Sequence, residues 1–287
     1  MHIKLFAADK TDVGKQRDQN EDRPYRRVES AEDGDRGLFI VADGMGGYKA
    51  GEVASRMAVE TINKAMDTFF KPIQDQPTIK IDRSMLRPSS PTGKPSKAET
   101  HKLSEATMAS AIEDQLRAAI KQANQAIVRY GEQQSEARGL GSTVTTLLIQ
   151  NDLAYIGNVG DSRTYLLRNG ALTPLTKDHS LVAKLVETKQ IKPEEVYTHP
   201  HRNLIYRSLG AGRSTLEVDI FHETVQAGDL FLLCSDGLWE MVHPEELEST
   251  MKMQASPQAI CDKLIELANA GGGEDNITAV VVQVSAH

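Results

Sequence analysis

Two apolar runs in this sequence stop on the same dipeptide. "GLFIVADG" (37–44) and "DLFLLCSDG" (229–237) each lead large apolar residues into Asp-Gly, at Asp43-Gly44 and Asp236-Gly237. A third run, "LAYIGNVGD" (153–161), ends on Asp161, and Asp275-Asn276 stands just before the apolar run "ITAVVVQV". Glu21 and Asp22 close the polar stretch "RDQNED" (17–22). Taken singly, each Asp-Gly reads as a turn, because both residues suit tight backbone reversals. Taken together, the acids all adjoin strongly apolar strands. Carboxylates gathered at buried strand ends repel one another and cost several kcal/mol each unless positive charge compensates. Divalent cations are the simplest compensation. No HExxH and no Cys/His pair at zinc spacing accompanies the acids, and the EF-hand spacing is absent. An all-oxygen donor set of this kind suits a hard cation, Mg²⁺, Mn²⁺ or Ca²⁺. Gly44 has no side chain, so its carbonyl can come close to an ion. An Asp set between two cations about 4 Å apart is an arrangement that activates water for attack on phosphorus. Arg17 lies five residues before Asp22. Its guanidinium offers a two-pronged grip on phosphate oxygens, although alone it reads as a solvated surface side chain.

The elements that must position these residues follow from periodicity. Strands are expected at 3–8, at 37–43, in 142–150 and 153–175, in 215–225 and 229–237, and over 276–284. Asn169-Gly170 between apolar stretches signals a hairpin. Helical spacing covers 50–70, 103–133 and 181–189, and a helix from Ser256 ends at Gly271. Residues 9–24 read as a loop. Residues 71–102 carry five prolines and much polar sequence, which reads as an exposed insertion. Strands cluster and helices fall in pairs between them, so the class is α+β with antiparallel sheets.

Composition excludes several functions. The chain of 287 residues carries 33 basic and 40 acidic side chains, net -7, which argues against a nucleic-acid binder relying on bulk positive charge. The two cysteines, Cys234 and Cys261, form no CxxC pair, and neither is followed by Arg at the spacing of a cysteine phosphatase. Cys234 reads as a small core residue. GxxxxGK[ST] is absent, which disfavours ATP hydrolysis on a P-loop. No signal-peptide pattern or membrane-length apolar segment stands out, so the expected location is cytoplasmic.

Eight segments, in order, resemble the metal-dependent serine/threonine protein phosphatases of type 2C in their bacterial form. They are "RDQNED", "VADGMGGYKAGEVAS", "GLGSTVTT", "GNVGDSRTYLLRNG", "LTKDHSLVAKLVE", "HPHRNLIYRSLG", "LLCSDGLWE" and "EDNITAVVV". The resemblance implies one catalytic domain over 1–287, a four-layer α-β-β-α sandwich of two antiparallel sheets flanked by helix pairs. It implies two Mn²⁺ or Mg²⁺ ions per active site and a third, weaker one. On this pattern Asp43 bridges two ions, Gly44 offers its carbonyl, and Asp236 and Asp275 complete one site. Asp22 and Glu21 serve the other ion, directly or through water, Asp161 serves the third, and Arg17 holds the substrate phosphate. Residues 180–203 become a flap beside the site, with Lys189 where the pattern has glycine.

The implied reaction is direct in-line attack of a metal-bridging water on phosphoserine or phosphothreonine, with Arg17, Asp43, Asp236 and Asp275 as the catalytic set. Partners would be phosphorylated proteins, among them a Ser/Thr kinase and its substrates. His179 in "KDHS" reads as structural before it reads as a proton donor, and His199 and His201 as surface or packing residues. Two alternatives stand beside this one. The first is a catalytically weak regulator that docks phosphoproteins. The second is a phosphatase restricted to one partner, such as an anti-sigma-antagonist.

Overall fold

The computed structural model describes residues 2–31, 34–46, 50–70, 97–134, 137, 139–150, 152–211 and 215–286, with backbone alone over 97–107. Most of the insertion expected at 71–102 therefore lies outside the described residues. Two antiparallel sheets face each other. One runs in the order β1 (Ile3–Asp12), β11 (Ile277–Ala286), β10 (Leu230–Cys234), β7 (Arg163–Arg168) and β8 (Ala171–Pro174). The other runs β2 (Asp22–Glu29), β3 (Arg36–Met45), β5 (Val144–Gln150), β6 (Leu153–Val159) and β9 (Asp219–Thr224), with the short β4 (Gly141–Ser142) beside the end of β3.

Side-chain alternation explains why β3 and β10 read as unbroken apolar runs. Phe39 and Val41 of β3, with Leu147 and Ile156, meet Phe231, Leu233, Val280 and Val282 in the layer between the sheets. The intervening Leu38, Ile40 and Ala42 face α1 (Ala50–Met66) and α2 (Lys97–Gln133) on the outside. On the far side, Leu232, Cys234, Ala279 and Val281 pack against α4 (Asp236–Trp239), α5 (Pro244–Met251) and α6 (Pro257–Gly271). Both faces of each central strand are covered, so no polar face interrupts the sequence pattern. The α-β-β-α layering expected from the resemblance is the layering observed. Among the described residues no helix is long and apolar enough to cross a membrane.

The loop expected at 9–24 requires correction. β1 runs to Asp12 and β2 starts at Asp22. β2 escapes an apolar-pattern reading because it is an edge strand, rich in arginine and exposed at Arg23, Arg26 and Val28. An edge also tolerates Pro24, whose missing N–H would break a central strand. The hairpin at Asn169-Gly170 joins β7 to β8 with both residues in the left-handed region, at φ 52° and 79°.

The helix expected at 181–189 is α3 (Leu181–Glu187), capped by Ser180, whose Oγ accepts from the Ala183 N–H at 3.3 Å. It ends because Lys189 turns left-handed at φ 58°, with its N–H on the Val186 carbonyl and the Gln190 N–H on that of Leu185. That closing geometry is where glycine is cheapest, which accounts physically for the glycine of the resembled pattern. Lys189→Gly is expected to stabilise the protein by roughly 0.5–1 kcal/mol, and Lys189→Val to destabilise it. Urea unfolding midpoints of the two variants check this.

Candidate active site

Strand register delivers the acids to one end of the sandwich. Asp22 and Asp43 are direct cross-strand partners in β2 and β3. Asp43 continues the parity of Phe39 and Val41, so it extends the inter-sheet layer beyond its last apolar residue. In the opposite sheet Cys234 pairs with both Ala279 and Arg163. Asp236 therefore lies just past the end of β10, Asp275 just before β11, and Asp161 just before β7. The Ser235 Oγ joins the sheets, donating to Asp22 Oδ2 at 2.6 Å. It also accepts the Thr278 N–H at 3.0 Å. Two hydroxyl pairs across the sheets, Thr143–Ser162 at 2.6 Å and Thr145–Thr164 at 2.7 Å, lie between the acids and the apolar interior. The apolar layer thus grades through hydroxyls into carboxylates.

The acids act on one another. Asp22 and Asp161 are buried, 6% and 4% exposed. Burial drives the Asp22 carboxyl up to about 6, against the hydroxyls of Ser235 and Thr278 that favour its charge, and Asp275 pushes it further up. Burial drives Asp161 up to about 7, with Asp178 as the main repelling charge. Asp43 and Asp236 are held well above the usual carboxylate range, first by burial. The next cause for Asp43 is the charge of Asp236, followed by Asp22, Asp161 and Asp275. For Asp236 it is Asp161, then Asp275. Asp22 Oδ1 and Asp236 Oδ1 are buried without a hydrogen-bond partner among the described residues. Such atoms are costly, and a cation satisfies them. The donor set is entirely oxygen. Among the described residues no group of three or more acids, histidines or cysteines stands in finished ion-holding geometry. The acids are a repelling set that fits hard cations, not a closed coordination shell.

The backbone around them is tightly fixed. Thr143 N–H donates to the Asp43 carbonyl at 2.8 Å, and Asp43 N–H donates to Thr143 Oγ1 at 3.2 Å. A side chain at Gly44 would fall 2.1 Å from the Gly51 carbonyl oxygen and 2.7 Å from that of Glu21. Close packing of α1 on the end of β3 therefore requires this glycine. Burial raises the pKa of the Glu21 carboxyl, against the backbone of Gly51 and Glu52 in the first turn of α1, which favours its charge. Arg17, whose side chain is 52% exposed, contacts Asp275 through Nη2 at 2.7 Å, which puts a guanidinium at the rim of the acids.

Several residues that matter here carry no motif of their own. The Asn276 side chain accepts from the Glu21 N–H and donates to the carbonyls of Val13 and Gln19. It ties the loop bearing Arg17 and Glu21 to the start of β11. Arg202 bridges Glu240 at 3.2 Å and Glu274 at 2.8 Å, beside Asp236 and Asp275. An amide followed by an apolar run was the only sequence signal for Asn276. The partners of Arg202 are distant in sequence and gave none.

His179 is a structural histidine. It is 3% exposed, its Nδ1 accepts the Gly160 N–H at 3.0 Å, and its Nε2 lies 3.0 Å from Arg207 Nη1 and 3.3 Å from Asp219. Burial and then Arg207 lower its pKa. His199 is half-buried and His201 exposed. Both cysteines are buried with thiols pushed up to about 12, so neither is a nucleophile.

The raised carboxyls have a stability consequence. A carboxyl that titrates higher folded than unfolded holds a proton in the fold that the unfolded chain has lost, so its contribution is complete at low pH and disappears as pH rises through the folded value. In chelator, the melting temperature is expected to rise as pH falls from 8 towards 5.5, the range spanning about 7 for Asp161 and about 6 for Asp22. Asp43→Asn is expected to raise the chelated protein's melting temperature by a few degrees, on the order of 1–3 kcal/mol. Added Mn²⁺ is expected to stabilise the wild type more than this variant. Thermal scans over pH with and without Mn²⁺ test all three.

Comparison with known proteins places this geometry. The family model described as "Protein phosphatase 2C" matches residues 17–267. A serine/threonine phosphatase stp of Listeria welshimeri is 37% identical over 279 residues, 97% of this chain and 96% of that one. The serine/threonine protein phosphatase PstP of Mycobacterium tuberculosis is 34% identical, over 98% of this chain and 45% of its own length. A crystal structure of the PstP catalytic domain with two manganese ions superposes at a TM-score of 0.75 with 32% identity, covering 99% of this chain and 100% of that one. Sequence and fold agree over nearly the whole length: this chain belongs to the protein phosphatase 2C family.

Proposed function

We propose that this protein hydrolyses phosphoserine and phosphothreonine in proteins with bound Mn²⁺ or Mg²⁺, in the cytoplasm, opposing a Ser/Thr kinase. The observation that carries the reading is the set of mutually repelling acids, two of them with buried oxygens that find no hydrogen-bond partner among the described residues, bordered by the Arg17 guanidinium. Such a set is costly in a docking module and is explained by cation binding, which disfavours the regulator that only docks.

In this reading Asp43, the Gly44 carbonyl, Asp236 and Asp275 would hold one cation, Asp43 and Asp22 would serve a second, with Glu21 directly or through water, and Asp161 would serve a weaker third. The bound ions supply Lewis acidity toward phosphoryl oxygens and lower the pKa of water. The chain's own residues hold and orient. Arg17 uses one contact to Asp275, so its other N–H donors are available to the phosphate of the substrate. Asn276 keeps that loop in place. Thr143 and Ser142 fix the Asp43 carbonyl, the latter at 2.9 Å through its Oγ, so Asp43 does not recoil from its neighbours. The segment 180–203 borders the site as a flap through Arg202, and 1–287 works as one catalytic unit.

Wild-type protein is expected to release phosphate from a phosphothreonine peptide with Mn²⁺ and to stop in strong chelator. Asp43→Asn is expected to lose at least about 100-fold in kcat/KM. Arg17→Ala is expected to raise KM for the peptide roughly 10–100-fold, the worth of a charge-assisted hydrogen bond. Cys234→Ala with Cys261→Ala is expected to leave turnover unchanged. Activity that survives chelation contradicts the reading.

A further inference from the structure

The segment 180–203 touches the acid cluster by a second route, behind the acids. The Arg163 guanidinium grips Asp178, with Nε at 3.0 Å from Oδ1 and Nη2 at 2.7 Å from Oδ2, while Nη1 donates to the Tyr165 hydroxyl at 3.0 Å. Its Cζ lies 3.5 Å from the centre of the Trp239 ring. Trp239 is 2% exposed, and its Nε1–H donates to the Asp161 carbonyl at 3.0 Å. It also ends the four-residue α4 that Asp236 begins. One indole is therefore fixed to the backbone of one acid and shares a single helical turn with another.

The segment reaches this indole through Tyr197, and the two residues before the segment hold Arg163 and Gly160. Tyr197, in its 3-10 turn (Pro193–Thr198), meets the Trp239 ring edge-on, with centroids 6.3 Å apart. Asp178 and His179 lead directly into Ser180, the cap of α3. His179 grips Gly160, the residue before Asp161, through its N–H to the Gly160 carbonyl at 2.9 Å and its Nδ1 at 3.0 Å from the Gly160 nitrogen. Gly160 cannot yield. At φ 106° it lies so close to Thr143 that an added Cβ would fall 2.6 Å from the Thr143 Cβ. A buried ion pair such as Arg163–Asp178 seldom exceeds a well-packed apolar pair in stability. Stability alone therefore gives little reason for it. Its fork geometry and stacking define a position, and a lysine would reproduce neither.

We infer that Arg163 and Trp239 form a positioning clamp through which the 180–203 segment sets the placement of Asp161 and Asp236 for cation binding. The inference rests on the assignment of those acids to cations and adds a coupling between them and the flap. By linkage, anything that orders the acids orders the flap, and the reverse.

The test uses the full chain. Mn²⁺ binding is titrated by calorimetry, and amide exchange of residues 181–187 is followed with and without Mn²⁺. In the wild type, Mn²⁺ is expected to slow exchange in α3. Trp239→Phe keeps the stacked ring but removes the N–H to Asp161. Tyr197→Ala touches no acid. Both are expected to weaken Mn²⁺ binding by about 10-fold, as loss of a supporting contact to a metal site does. Both are also expected to abolish the Mn²⁺-dependent slowing in α3 while β5 and β6 stay protected. Arg163→Lys is expected to match them, and if it fails to fold the other two decide. A purely structural role would lower protection throughout and leave Mn²⁺ affinity of the folded protein unchanged. Variants with wild-type Mn²⁺ affinity and intact Mn²⁺-dependent protection overturn the clamp alone. A wild type that binds no Mn²⁺ overturns the assignment of the acids, and the clamp with it.

Discussion

Carboxylates that repel one another are held at one end of this sandwich by backbone that cannot release them. Asp22 and Asp43 face each other by strand register. Like charges directly opposite on a sheet are unfavourable, and the Ser235 hydroxyl on Asp22 offsets only part of the cost. Sliding β2 by one residue would turn all its side chains to the other face. Asp236 and Asp275 are fixed at the ends of neighbouring antiparallel strands, where Gly237 packs so closely that an added Cβ would lie 2.2 Å from the Asn276 carbonyl oxygen. The rest of the structure is arranged so that this strain persists. Two sheets, covered on both outer faces by helices, supply an apolar interior rigid enough to hold the charges in place.

Cation binding and catalysis follow from that constraint. A site already relaxed by internal hydrogen bonds would have little affinity left for an ion, whereas the Asp22 and Asp236 oxygens without a hydrogen-bond partner among the described residues retain it. The cost is borne by the metal-free fold, a trade between stability and activity common at functional sites. The surrounding contacts limit how far the acids can move apart. Ser235 bridges the sheets, Thr143 holds Asp43, Asn276 anchors the Arg17 loop, and Trp239 fixes Asp161. None of these is a charge, and each acts on a residue that is.

Much of this was legible in the sequence because strand ends and acids coincide. The runs ending at Asp43, Asp161 and Asp236 announced where the two sheets stop, and Asn169-Gly170 announced a hairpin from dipeptide chemistry alone. β2 was not legible. An edge strand with alternate residues in water carries arginines where a central strand carries leucines. The contact of the Glu21 backbone with the Asn276 side chain was hidden because the two are far apart in sequence. Arg202 and Trp239 were hidden for a different reason. Their contacts depend on how the 180–203 segment packs, and the local pattern there specifies a helix and a turn but not what they touch.

Proton release on Mn²⁺ binding tests the central claim most directly. If the acids are raised by burial and mutual repulsion, some are protonated near neutral pH, and a divalent ion must displace those protons. Calorimetric Mn²⁺ titrations at pH 7, repeated in buffers of different ionisation enthalpy, count them. Saturable binding is expected, with net release of about one proton or more that falls as pH is raised. Saturable binding with no proton release at pH 7, or no saturable binding at all, would contradict it.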